Sequence, residues 1–238
     1  YKQQGKISKG TARDFPLFPN RGFMIDAGRK FFTLDYLKQY VKILSFYKMN
    51  EFQIHLNDNG FPQFFDNDWN KTYAAFRLES ERFPGLTAKD GSYTKKEFTD
   101  LQRLGMEYGV NVIPEIDIPA HSLAFTHYNP EIGSKEYGMD HFVDSLLDEY
   151  IGGENPVFIG PDVHIGTDEY NKKEAEQYRY FTDRYLKYIE KYGKTPRMWG
   201  GLKWLPGKTP VKAEGVTVNA WSYDWVDPEV SLKDGYKL

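Results

Sequence analysis

Asp162-Val-His-Ile-Gly-Thr-Asp-Glu169 alternates in the manner of a β-strand and closes on two neighbouring acids. A long helix is expected directly after it, near 172–192, ended by Gly193. Strands five and six are read at Thr195–Trp199 and Val216–Trp221. Upstream, a helix near 142–151 precedes the quoted stretch. Before that helix stands a third strand, Val110-Asn-Val-Ile-Pro-Glu-Ile-Asp117, which also ends in acid. Phe98, Leu101, Leu104 and Tyr108 mark a helix closed by Gly109, with Thr94 as N-cap and Glu97 completing a capping box. A long polar and aromatic loop, running to about Ser92, connects it to the strand Glu51-Phe-Gln-Ile-His-Leu56, which ends in Asn57-Asp58-Asn59-Gly60. Tyr36, Leu37, Tyr40, Val41, Leu44 and Tyr47 recur at helical spacing, capped by Thr33 or Asp35, after a first strand at Gly22–Asp26.

Strand–helix alternation of this kind implies a parallel sheet with right-handed crossovers. No glycine-rich phosphate loop follows the first strand, which weakens an open nucleotide-binding sheet. Polar residues at the C-terminal end of every strand favour an α/β fold of the (β/α)8 TIM-barrel type, whose sites lie on that face. Six strands and the start of a seventh at Tyr236–Leu238 are counted, so the barrel is expected to be truncated at its C-terminal end. Residues 1–20, with Gly5, Gly10, Pro16 and Pro19, read as a lead-in, and 21–238 as the barrel domain.

Composition narrows the function. The 31 basic and 34 acidic residues leave a net charge of −3, which disfavours nucleic acid or an anionic membrane as partner. No apolar run reaches the roughly 20 residues of a membrane span. Cysteine is absent, removing thiolate nucleophiles and Cys-based zinc sites. Aromatic residues make up 17% of the chain; most must be core, but flat amphipathic rings also suit sugar faces.

The strand ends gather Arg21, Asp26, Asp58, Glu115, Asp117, His121, His164, Asp168, Glu169, Trp199 and Trp221. Any one could merely satisfy loop backbone groups; acids at consecutive strand ends together with an Asp-Glu pair point to chemistry. On a regular strand Asp168 and Glu169 would face opposite ways, so the chain must bend there for both to serve one site. Gly166 is read as leaving room for a bound ring beside Asp168. Two neighbouring carboxylates cannot both ionise cheaply, which leaves one charged and one holding a proton, the division that glycoside hydrolysis uses. A metal site built from His55, His121 and His164 is disfavoured, because no His-x-His or His-Glu-x-x-His spacing occurs. Neither metal nor cofactor is expected.

Arg21-Gly-Phe-Met-Ile-Asp-Ala-Gly-Arg-Lys-Phe-Phe32, His55-Leu-Asn-Asp-Asn59, Pro114-Glu-Ile-Asp-Ile-Pro-Ala-His121 and His164-Ile-Gly-Thr-Asp-Glu169 together resemble glycoside hydrolase family 20, the β-N-acetylhexosaminidases, in the family's order. The resemblance implies retaining, substrate-assisted hydrolysis of terminal β-linked GlcNAc or GalNAc, in which the 2-acetamido oxygen attacks and an oxazolinium ion forms. Asp168 would orient the acetamido group and Glu169 would act as acid, then base. Arg21 would hold sugar hydroxyls, Asp58 and His121 would support the acid/base, and Trp199 and Trp221 would wall the pocket. It also implies a carbohydrate partner and, from the substrate, an extracellular, cell-surface or periplasmic location. Gly200-Gly201 after Trp199, the short stretch at Asp140–Phe142 and the unmatched last two strands depart from the family pattern. Release of a disaccharide such as lacto-N-biose, a non-catalytic glycan-binding module and a metal-dependent barrel hydrolase are the alternatives.

Overall fold

Six parallel strands follow one another around a curved wall in the computed structural model, which describes residues 9–133 and 138–238. Strand β1 (Gly22–Asp26) leads through α1 (Leu34–Phe46) to β2 (Glu51–His55). A short antiparallel pair, β3 (Asn57–Asn59) and β4 (Ala74–Phe76), comes next, then α2 (Lys95–Glu107) and β5 (Asn111–Glu115). Helices α3 (Leu123–Tyr128) and α4 (Gly138–Ile151) precede β6 (Asp162–His164). The remainder is α5 (Ala175–Lys191), β7 (Thr195–Trp199), β8 (Thr217–Asn219) and α6 (Pro228–Lys233). The sheet order is β1-β2-β5-β6-β7-β8, and Lys237 makes a further parallel bridge to Thr217 where a seventh strand was expected.

This is the strand order of a (β/α)8 barrel in part, and the sheet is rolled rather than flat. In a flat sheet β2 and β8, four places apart, would be separated by about 19 Å. Yet Asn219 Nδ2 donates to Gln53 Oε1 at 3.1 Å across the interior. Lower in the lumen Arg197 on β7 donates to both carboxylate oxygens of Glu51 on β2, at 2.9 and 2.7 Å, and to Asp162 Oδ1 at 2.7 Å. The inner face is therefore tied by polar side chains, while the outer face buries apolar ones such as Phe52, Ile54, Val112, Val163 and Met198 against the helices.

The helix ends follow the sequence signals. Thr33 Oγ1 accepts from the Tyr36 amide, and Thr94 and Glu97 form the reciprocal capping box, worth about 1 kcal/mol. Gly109 takes φ +69° after α2.

Three expectations are revised. The strand read over 162–168 stops at His164, because Gly166 and Thr167 adopt φ of +67° and +78° and leave the sheet. The strand read at Val216–Trp221 narrows to Thr217–Asn219. The connection to Ser92 is organised: β4 pairs back onto β3, and Arg77, buried within it, donates to Ala27 O and Gly28 O and pairs with Asp90. Of the lead-in, residues 9–20 are exposed and lack helix or strand; residues 1–8 lie outside the described residues. Among the described residues no helix is long and apolar enough to cross a membrane.

Candidate active site

The strands converge at their C-terminal ends on a cavity of about 250 Å³. Asp26, Arg29, Asp58, His121, Asp168 and Glu169 line it, with Trp199 and Trp221 as aromatic walls and Met24 and His55 completing it.

Asp168 and Glu169 reach this cavity together because the backbone reverses around them. Gly166, Thr167 and Glu169 all lie in the left-handed region, with φ of +67°, +78° and +52°. For a β-branched residue such as Thr167 that conformation is strained and must be held by its surroundings. Two bonds hold it: the Thr167 amide donates to Asp117 Oδ1 at 3.0 Å, and the Gly166 amide donates to His164 Nδ1 at 3.0 Å. Alternation along a strand would have separated the two acids; the turn puts both on one side.

Gly166 itself does something other than was expected. A Cβ there would stand 1.8 Å from Asp117 Oδ1 and 2.6 Å from Asp117 Cα. The glycine makes room for Asp117, not for a ligand ring. Burial, reinforced by the neighbouring Asp168 charge, pushes the Asp117 carboxyl well above the usual carboxylate range.

Behind Glu169 runs a chain of alternating imidazoles and carboxylates. His121 Nε2 lies 3.5 Å from Glu169 Oε2 and 3.6 Å from Asp168 Oδ2. Its Nδ1 bonds Asp58 Oδ1 at 2.8 Å, and Asp58 Oδ2 bonds His55 Nε2 at 2.7 Å. His55 Nδ1 lies 3.0 Å from Glu115 Oε1. Burial alone would lift the Asp58 pKa, but hydrogen bonds from His121 and His55 hold it below the carboxylate range. Burial would likewise lower both imidazoles; Glu115 and Asp58 raise His55 well above its ordinary value, and Asp58 and Asp168 raise His121. His164, buried with Arg197 nearby, goes the other way, to about 4.

Arg21 is not in this site. It precedes β1, whose five residues carry the chain about 16 Å before Asp26. Its guanidinium donates to Phe18 O, Pro19 O and Lys48 O, closing carbonyls at the opposite end of the barrel. The arginine at the mouth is Arg29, in the turn after β1. Arg29 Nη1 pairs with Asp26 Oδ2 at 2.9 Å and Asp58 Oδ2 at 2.6 Å, while its amide donates to Asp26 Oδ1. The local Asp26-x-x-Arg29 spacing carries that signal: an acid at a strand end capping the turn that follows.

The other predicted residues are brought together. Trp199 donates Nε1–H to Glu115 Oε1 at 2.6 Å, and Trp221 donates to Gly200 O at 2.9 Å. Trp225 packs against Trp221 in a tilted arrangement, ring centroids 5.4 Å apart, extending the rim, while Tyr223 points to solvent. Gly200 and Gly201 have packing reasons: a Cβ on each would meet Val226 Cβ at 2.5 Å and Tyr178 Oη at 2.7 Å. Asp117, His121 and Asp168 bring ligand atoms within 4.8 Å of one another, as do His55, Glu115 and Asp117. His55 Nε2 and His121 Nδ1 are hydrogen-bonded to Asp58, and His55 Nδ1 lies 3.0 Å from Glu115 Oε1.

Comparison with known proteins agrees with this geometry. Residues 18–150 match the model of glycosyl hydrolase family 20, catalytic domain. A β-hexosaminidase of Akkermansia muciniphila is 28% identical across 90% of this chain and 50% of its own length. One of Vibrio furnissii is 31% identical across 66% of this chain and 30% of its own. The chain thus spans half or less of these curated relatives. Among solved structures, the Flavobacterium johnsoniae chitobiase superposes with a TM-score of 0.73 at 25% identity, covering 94% of this chain and 38% of that one. The β-N-acetylhexosaminidase of Bacteroides fragilis gives 0.72 at 22% identity, covering 93% and 48%. Rolled parallel sheet, paired acids at the end of its fourth strand and a family match over more than half the chain agree: this chain belongs to glycosyl hydrolase family 20, in its catalytic domain.

Proposed function

We propose that the protein hydrolyses terminal β-linked N-acetylhexosamine residues with retention, using the substrate's own acetamido group as nucleophile. The observation that carries this reading is the reversed backbone at Thr167–Glu169, which turns two successive carboxylates into one cavity. Each can then take a separate part. Asp168 holds the acetamido N–H and balances the positive charge that grows as the acetamido oxygen closes onto the anomeric carbon. Glu169 gives its proton to the departing glycosidic oxygen as the C1–O bond breaks, then takes one from the incoming water. His121, braced by Asp58, faces both carboxylates and steadies Glu169 as its charge changes. Arg29, fixed by Asp26 and Asp58, offers donors to sugar hydroxyls, and Trp199 and Trp221 cover the apolar faces of the bound residue. The curated relatives named β-hexosaminidase support the same reading. Such substrates lie outside the cell, at its surface or in a periplasm, and the protein is proposed to work there.

The test is turnover of aryl β-GlcNAc, β-GalNAc and β-glucoside substrates by the full chain. N-acetylhexosaminides should be cleaved and the glucoside, which lacks the internal nucleophile, should not. Glu169→Gln should lower kcat on poorly activated leaving groups by about 10²–10⁴-fold. Equal rates on glucoside and N-acetylglucosaminide would refute substrate assistance; binding without cleavage would support a lectin-like module.

A further inference from the structure

We propose that Glu115 is a positioning residue that ties the tryptophan wall of the cavity to the support of its acid/base, through one carboxylate oxygen. The inference rests on the glycosidase reading above.

Glu115 closes β5, fully buried, opposite His55 on β2 and His164 on β6 in the sheet register. Its Oε2 accepts from Gln53 Nε2 at 2.6 Å. Its Oε1 accepts from Trp199 Nε1 at 2.6 Å and lies 3.0 Å from His55 Nδ1. Trp199 belongs to β7, about 10 Å from β5 across the intervening strand. Only the roll of the sheet and the length of an indole bring the two into contact.

The two groups that meet at Oε1, Trp199 by a hydrogen bond and His55 as a charge partner 3.0 Å away, lead to the cavity by different routes. Trp199 is itself a wall. His55 grips Asp58, Asp58 grips His121, and His121 faces Glu169. A displacement of the indole therefore alters how strongly the Oε1 charge attracts His55, and a change in His55 reaches the indole. Burial would favour a neutral Glu115, but His55, His164 and Gln53 hold it below the carboxylate range, so its hydrogen bonds are charge-assisted.

Two isosteric variants test this. Glu115→Gln keeps an acceptor for Trp199 and removes the charge facing His55. Trp199→Phe keeps an aromatic wall and removes the N–H. Both are assayed on β-GlcNAc substrates with a strongly activated and a poorly activated leaving group, beside the unsubstituted chain. Glu115→Gln should lower kcat on the poor leaving group about 10–100-fold, leave KM within about twofold, and largely spare the activated substrate. Trp199→Phe should raise KM, and it too should hurt the poor leaving group about threefold more than the activated one. A wall with no link to the acid/base would lose both equally, and that result overturns the proposal.

A readout without activity completes the test. The indole ¹⁵N–¹H resonance of Trp199, identified by its loss in Trp199→Phe, should shift in Glu115→Gln. Where that variant does not fold, Glu115→Asp, which withdraws the same oxygen but keeps the charge, serves in its place. An unmoved resonance refutes the tie. No turnover by the unsubstituted chain on any N-acetylhexosaminide counts against the glycosidase reading instead.

Discussion

Replacing Gly166 with alanine should unfold the site locally and destabilise the chain by roughly 3–5 kcal/mol. The magnitude has three parts. The first is backbone: φ is +67°, where a Cβ costs about 1–2 kcal/mol. The second is steric. The new Cβ would lie 1.8 Å from Asp117 Oδ1 and 2.6 Å from its Cα, and the latter cannot rotate away. Strain of that kind in a packed interior typically costs about 1–3 kcal/mol. The third is the bond from the Thr167 amide to Asp117 Oδ1, whose loss strands a buried amide for about 1–3 kcal/mol. The terms overlap, since movement that relieves the clash breaks the bond, so the total is less than their sum. Urea unfolding measures it directly, and a thermal midpoint should drop by roughly 6–20 °C for a chain of this size. Turnover should be lost even below the new midpoint, because Asp168 and Glu169 ride on the same turn. A Gly166→Ala variant within about 1 kcal/mol of the parent would refute the claim that this glycine exists to admit Asp117.

Exchanging arginine for lysine separates the two arginines. Arg29→Lys should raise KM about tenfold, because one ammonium cannot hold Asp26 and Asp58 while facing a ligand; Arg21→Lys should leave KM unchanged. For pH, His164 binds its proton at about 4 in the folded chain against about 6.5 unfolded. Its contribution is complete above 6.5 and is lost as pH falls toward 4, amounting to about 2 kcal/mol between pH 7 and 5. His55, raised by folding, acts oppositely and contributes fully below 6.5. His121 and Asp117, also raised, act with His55, so the test is a difference: between pH 7 and 5 the urea midpoint of the parent should move toward lower stability relative to that of His164→Asn, whose side-chain oxygen can still accept from the Gly166 amide; an identical pH dependence in the two would contradict the assignment.

The sequence was most readable where interactions are short in range. The capping box at Thr94 and Glu97, the glycine stop at Gly109 and the strand-and-helix alternation are local, and they appear in the fold where expected. The need for a bend at Asp168-Glu169 also followed from side-chain alternation alone. What it could not convey was which end of β1 faces the cavity. Arg21 and Arg29 flank the same strand, and only strand direction, read with the Asp26-x-x-Arg29 turn, separates them. Gly166 was misread for a related reason: its neighbour, Asp117, lies just past the end of β5, 49 positions earlier. Glu115 was visible as an acid at a strand end, but its partners Gln53, His55 and Trp199 meet only because the sheet rolls.

The ties across the lumen also govern when the pocket can exist. Glu51 and Arg197 are 146 positions apart, and Gln53 and Asn219 are 166. At a synthesis rate of about 5–20 residues per second, Glu51 leaves the ribosome roughly 7–30 s before its guanidinium partner. During that interval the early strands can pair and collect their helices, but the carboxylate destined for the lumen floor has no counter-charge and must stay hydrated. Closing of these ties, and with it the meeting of Trp199 with Glu115, is thereby deferred until β7 and β8 have been made. The cavity therefore cannot be complete before Arg197 and Trp199 have been made, and a nascent chain halted before Arg197 would carry both supporting histidines, His55 and His121, without a site for them to serve.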